Sequence, residues 1–238
     1  MLGNLWRLCW RALFLREDAY DEMRDTPGPF GRGLLFIVLL GAIVAAIGVV
    51  GATLEWATTP DMGQLGQAVM QSWMQGPWVK DIPPEALPEV KQTFDTVFSM
   101  IKNFTPSPVM GLINIVLNPV GLIIAWLVYG LLAHLFARLL GGRGSLEQTY
   151  GTTALAVSPV ALNVFKVLPY VQIGGLAIWG TVCNYLAIKS AHQLSPARAF
   201  WATVLPFVVL FLLFIIVGLL GVLAFGAFFS SLVQGGIQ

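Results

Sequence analysis

Charge is scarce in this 238-residue chain, with Asp, Glu, Lys and Arg together making up 11% of it, against about 25% in average soluble domains. Mean hydropathy is +0.78. An exposed surface that apolar would aggregate in water, which excludes a soluble enzyme and a disordered chain. Net charge is only +1, too small for the electrostatic field that captures nucleic acid, so no nucleic-acid partner is expected. Thiols are nearly missing too. Cys9 lies in an amphipathic first segment and Cys183 inside an apolar run. No disulfide is expected between them, and both read as small buried apolar residues. No cleavable signal peptide is expected either, because the first long apolar run follows about 30 residues of mixed charge and is too long for a signal core.

Carboxylates are absent where transport chemistry would need them. No long apolar run contains Asp or Glu, and no Lys or Arg falls near the middle of one. An ionised group at the bilayer centre costs at least ~2.5 kcal/mol and is kept when ion or proton movement needs it. Its absence weakens a proton-coupled carrier or pump. Catalytic sets are absent as well. The only histidines are His134 and His192, and there is no His-Glu-x-x-His, no cysteine pair for zinc and no strand-turn-helix context for a nucleophilic serine. The chain therefore reads as a non-enzyme, with no catalytic residue, metal or cofactor. His134 is the one residue with a second reading, as a haem or chlorophyll ligand. Lying one helical turn before Arg138, it reads first as an interfacial residue.

What remains is apolar helix. Crossing ~30 Å of hydrocarbon takes about 20 apolar residues, and five runs qualify: 33–54, 112–138, 150–168, 171–188 and 199–229. The expected fold is all-α and polytopic. Residues 1–32 precede the first span, 55–111 form a helical extramembrane loop between spans 1 and 2, 112–229 form a four-helix membrane domain, and 230–238 are a tail. Alternating sides puts nine Lys and Arg with the N-terminus and four opposite. Basic residues stay cytoplasmic, so the N-terminus is expected inside and the C-terminus outside.

Leu2, Leu5, Trp6, Cys9, Trp10 and Leu13 fall on one helical stripe, with Arg7 and Arg11 opposite. That pattern suits an in-plane helix anchored by Trp6, Trp10, Arg7 and Arg11, and equally a helix packed on its own bundle. In the loop, 65–73 and 88–104 read as amphipathic helices parted by Pro77, Pro83 and Pro84. Ser145 with Gln148 makes a capping box, and Ser195-Pro196 starts the last helix. The glycines at 141, 142 and 144 lack the strand and the Gly-Lys-Ser ending of a phosphate loop, so they read as a tight interhelical turn. Pro119, Pro159, Pro169 and Pro206 are expected to kink or break spans. Gly174, Gly175 and Gly180 are expected to admit a neighbouring backbone. Asn114, Asn118, Asn163 and Asn184 are candidate intramembrane contacts, for interhelical hydrogen bonds or for a solute path.

Several segments resemble the Yip1-like membrane domain of bacteria and of eukaryotic trafficking proteins. They are Trp10-Arg11-Ala12-Leu13-Phe14 leading to Thr26-Pro27, the turn before Ser145-Leu146-Glu147-Gln148-Thr149, Ala156-Val157-Ser158-Pro159, and Ala191 to Ala199 followed by Leu205-Pro206. The resemblance implies five spans with a cytoplasmic N-terminus. Eukaryotic members bind prenylated small GTPases through a longer N-terminal region, and that activity does not carry over to residues 1–32. The function expected is membrane organisation or partner binding, with lipid, other membrane proteins or a second copy as partners. The alternatives are an accessory subunit of a respiratory or photosynthetic complex, and a small-solute transporter or channel.

Overall fold

The computed structural model describes residues 2–103 and 108–235, and among them there are helices and no strands. Nine α-helices follow in order: α1 Leu2–Leu13, α2 Glu17–Arg24, α3 Pro29–Thr58, α4 Met62–Met74, α5 Leu87–Asn103, α6 Pro108–Leu139, α7 Leu146–Leu155, α8 Leu176–His192 and α9 Pro196–Gly235. Short 3-10 stretches lie at Pro77–Asp81, Pro84–Ala86 and Ser158–Val167. Two compact units emerge. The first combines 1–41, 119–161 and 174–238, and the second combines 42–118 with 162–173. Phe104 of the expected loop helix and residues 236–238 of the expected tail lie outside the described residues.

Three helical runs, Pro29–Met74, Leu112–Leu139 and Pro196–Gly226, are long and apolar enough to cross a membrane. The third and fourth expected spans are built differently. The run 150–168 is not one helix. α7 starts at Leu146 and stops at Leu155, and a 3-10 stretch carries the chain to Val167. Pro159 has no N–H to give and disfavours helical backbone at Ser158, so the break falls there. The run 171–188 becomes helical only at Leu176, because Tyr170 and Gly175 take left-handed φ values of 64° and 77°, and α8 then continues to His192. Gly175 thus serves backbone conformation, and no heavy atom lies within 4 Å of a Cβ added at Gly174 or Gly175. At 10 and 17 residues, α7 and α8 reach about 15 and 26 Å at 1.5 Å per residue. Pro119 and Pro206 sit inside α6 and α9, which continue through them without a break.

In the first unit, α1 and α2 form a hairpin against α7 and α8, and α8 packs on both α7 and α9. Glu17 and Asp18 open α2 and Arg24 closes it, each sign at the helix end that favours it. Ala12, Ala19, Tyr20 and Met23 are fully buried. The start of α3 enters through aromatic contacts. Phe30 stacks on Trp126 at 5.6 Å and meets Tyr150 edge-on at 5.5 Å. Gly151 makes room for this, since a Cβ there would stand 2.5 Å from the Pro29 Cβ.

In the second unit, α4 and α5 pack against each other as a helical hairpin. Asp61 caps α4 by accepting from the N–H groups of Gly63 at 2.7 Å and Gln64 at 3.1 Å. Trp73 and Phe94 meet at 5.6 Å across the hairpin.

Candidate functional site

The buried polar chemistry of the first unit collects where α6 ends, α7 begins and α8 ends. Ser145 starts α7 with the expected capping box: its hydroxyl accepts from the Gln148 N–H at 3.2 Å, while its own N–H donates to Gln148 Oε1 at 2.9 Å. That cap fixes the first turn and sets Thr149 inward. The Thr149 hydroxyl lies 2.9 Å from His134 Nδ1, 2.9 Å from His192 Nε2 and 2.9 Å from the Ser145 carbonyl oxygen. One hydroxyl proton cannot serve three partners. Donated to the carbonyl, it leaves both histidines to donate to the threonine oxygen. His192 then carries its proton on Nε2, and Nδ1 is a bare acceptor, which agrees with its being buried without a hydrogen-bond partner.

His192 is 1% exposed. Burial pushes its pKa down to about 4, with His134 and Arg138 adding to the effect, so the ring is neutral at pH 7. The glycine turn is shaped around it. A Cβ on Gly142 would stand 2.7 Å from both His192 Nδ1 and the Ala137 carbonyl oxygen, and one on Gly144 would collide with the Ala191 carbonyl oxygen. The turn is therefore the interhelical connection read from the sequence. The two rings lie 5.1 Å apart, with no third metal-ligating side chain grouped with them among the described residues. Both rings share the Thr149 hydroxyl, and neither pairs with a carboxylate among the described residues. Their arrangement holds α6, α7 and α8 together.

A second polar layer ties the N-terminal hairpin to α8. Lys189 pairs with Glu17 at 2.9 Å, Ser190 donates to Asp21 at 2.7 Å, and Arg24 donates to the Ser190 carbonyl oxygen at 3.0 Å. Trp179 Nε1 donates to the Leu13 carbonyl oxygen at 2.8 Å. Cys9 and Cys183 are both buried and free. Burial raises the Cys9 thiol to about 11 against a weaker lowering by Ser158, which makes it unreactive.

The apolar stripe of α1 is divided. Leu5, Leu8, Cys9, Ala12 and Leu13 are buried, whereas Trp6, Trp10 and Phe14 are 55%, 57% and 59% exposed. These three aromatics, spaced by four, form one outward edge. Arg7 and Arg11 face α2, with Arg7 2.9 Å from Glu22 and Arg11 2.7 Å from Asp18 and 2.5 Å from Glu22. Arg11 is held well protonated by Glu22 first and Asp18 second, and Glu22 is held below its ordinary range mainly by Arg11.

The asparagines are scattered. Asn114 and Asn118 are exposed on α6 in the second unit, and Asn163 lies in the 3-10 stretch of the same unit with its Oδ1 buried and unpartnered. Asn184 belongs to the first unit, where it donates to the Gly180 carbonyl oxygen at 3.0 Å and leaves Oδ1 unpartnered. It lines an open groove of about 520 Å³ with Trp126, Tyr129, Thr153, Val157 and Phe207.

A model of the Yip1 domain matches residues 10–219. The chain belongs to the Yip1 domain family. No curated protein and no solved structure matches it. The matched Yip1 domain starts within α1 and ends within α9, so it takes in the last turn of α1, α2, the histidine layer and the α4–α5 loop. Family membership together with the apolar helices makes this a multi-pass integral membrane protein. The sequence marks His192 only as one of two histidines, and nothing in it names Thr149 as its partner. The single local signal is the helical register that puts Thr149 one turn after Ser145.

Proposed function

We propose that this Yip1-family protein is a non-enzymatic membrane component that works through contacts with lipid and with other membrane proteins. In this reading the chain crosses a bacterial inner membrane five times, with the N-terminus cytoplasmic, the C-terminus outside, and α7 and α8 completing the two short crossings. The supporting observation is the divided surface of α1. Its inner face is fixed to α2, α7 and α8, so Trp6, Trp10 and Phe14 form a rigid aromatic edge with no partner inside the unit. Aromatic rings on a basic helix suit the boundary between headgroups and acyl chains.

The test is gentle extraction followed by mass spectrometry of whatever remains attached, comparing the native chain with Trp6→Ala/Trp10→Ala. Loss of attached lipid or protein in the variant is the expected result. A native chain that comes out monomeric and without partners overturns the reading. New single cysteines at each chain end, labelled from either side, check the topology, because Cys9 and Cys183 are buried. Ends facing the same compartment exclude five crossings. A second reading, as an accessory subunit of a larger bioenergetic complex, draws on α9, whose 18-residue apolar window has no residue buried against the rest of the chain. Co-migration with a haem or pigment complex on a native gel separates it from the first.

A further inference from the structure

Of the first unit's cations, Arg16 and Arg32 form no ion pair among the described residues, and the other seven fall into two groups. On the N-terminal hairpin and the adjoining end of α8, Arg7, Arg11, Arg24 and Lys189 each lie within 2.9 Å of a carboxylate oxygen. Around the glycine turn the pattern reverses. Arg138 at the end of α6, Arg143 in the turn and Arg198 in the first turn of α9 are all exposed, and none pairs with an acid among the described residues. The acid nearest in sequence, Glu147, is exposed and forms no ion pair either. The guanidinium groups of Arg138 and Arg198 reach the turn, and Arg143 is tied into it by its backbone. Arg138 reaches the Gly142 carbonyl oxygen at 3.4 Å, the Arg198 guanidinium lies 3.2 Å from where a Cβ on Gly141 would stand, and the Arg143 N–H donates to the His192 carbonyl oxygen at 3.3 Å.

Three exposed cations around one turn, with no acid partner, are open to an anion, and forked guanidinium donors match phosphate oxygens. The surroundings say which kind of anion. Two apolar runs long enough to cross the membrane end and begin here, at Leu139 and at Pro196. Leu139, Phe200 and Trp201, all exposed, stand next to the arginines. Basic residues beside exposed aromatics at a span end mark the headgroup layer. We propose that Arg138, Arg143 and Arg198 around the Gly141–Gly144 turn form a site for the phosphate headgroup of an anionic membrane lipid. The proposal deepens the lipid-contact reading above and rests on membrane insertion.

The full-length protein is placed in nanodiscs of phosphatidylcholine alone or with phosphatidylglycerol, and retained lipid and Tm are read for each. The native chain is expected to enrich phosphatidylglycerol and to gain Tm from it. Arg138→Gln/Arg143→Gln/Arg198→Gln is expected to weaken that enrichment on the order of a hundredfold. Lys80→Gln/Lys91→Gln, in the loop between α3 and α6, is expected to leave it unchanged. If the triple variant does not fold, Arg198→Gln alone gives the same reading with a smaller loss. Enrichment equal in native and variant chains overturns the site, as does an equal loss in the lysine control. Inorganic phosphate added to phosphatidylcholine discs separates a soluble anion from a lipid. A Tm gain as large as that from phosphatidylglycerol overturns the lipid assignment. A chain that resists insertion, seen as alkaline extraction from membranes, overturns the membrane reading itself. An inserted chain indifferent to phosphatidylglycerol overturns the headgroup site alone.

Discussion

Residues of similar hydropathy meet opposite fates in the packed base of the first unit and in the outer half of α9. In the base, Met23, Leu155 and Ile188 are fully buried, whereas Phe214, Val217 and Leu219 on α9 are 75%, 66% and 60% exposed. Hydropathy separates what avoids water from what does not, and the bilayer satisfies that demand as well as a protein core does. It is silent on which apolar residues touch protein. Small and hydroxyl-bearing residues mark the base instead: Ala12, Ala19, Ala187, Ala199, Ala202, Thr149 and Thr153 are buried there, as expected where close packing and hydrogen bonds replace the hydrophobic drive between helices.

The largest effect that would break this comparison comes from core truncation. Met23→Ala should cost about 2–5 kcal/mol by leaving a cavity between α2 and its neighbours, whereas Leu219→Ala should stay within about 0.5 kcal/mol. Thermal unfolding in a fixed detergent measures both. Equal losses would mean that α9 packs on a partner as tightly as Met23 packs within the unit.

A smaller effect tests the histidine layer. Thr149→Val leaves the buried His192 N–H and the half-buried His134 N–H without an acceptor and should cost about 1–3 kcal/mol. The pH dependence sharpens it. His192 sits at about 4 in the folded chain, against an ordinary ~6.5 when unfolded. A depressed histidine resists protonation only while folded. Its contribution is therefore intact above the unfolded value, and stability falls as pH drops from about 6.5 to about 4. The slope of Tm against pH in that window should flatten in His192→Asn. Below it, both chains lose the pairs made by Glu22 and Asp25, whose carboxyls Arg11 and Arg24 respectively hold below their usual range. An unchanged slope in the variant would take His192 out of the titration.

What was legible in the sequence was local. The capping box at Ser145 and Gln148 and the helix start at Ser195-Pro196 follow from spacings within a few residues, where backbone geometry decides. The family likeness was legible as well, and the Yip1 match bears it out. The division of the α1 stripe was not. Leu5 and Trp6, or Cys9 and Trp10, are chain neighbours about 100° apart on the helix, and only packing against α7 and α8 decides which of each pair is covered. The meeting of His134 with His192 spans two helices and a turn, so no spacing announces it. Pro159 marked a kink. That the chain then leaves α-helix for a 3-10 stretch, and resumes only after Gly175, depends on contacts formed late in the chain.

The smallest expected effect concerns the rim of the base. Glu17→Gln removes the Lys189 pair, in which the two side chains are 59% and 30% exposed. Exposed pairs of this kind contribute about 0–1 kcal/mol, because solvent screens the attraction and holding two long side chains in one geometry costs entropy. The carboxylate raises the lysine's affinity for its proton, but that does not make the pair a strong tether. A loss within about 0.5 kcal/mol in low salt, shrinking further in high salt, is expected from unfolding curves at the two ionic strengths. A loss comparable to that of Met23→Ala would mean that the N-terminal hairpin is held on α8 by its charges, with Tyr20 and Met23 merely filling the space beneath.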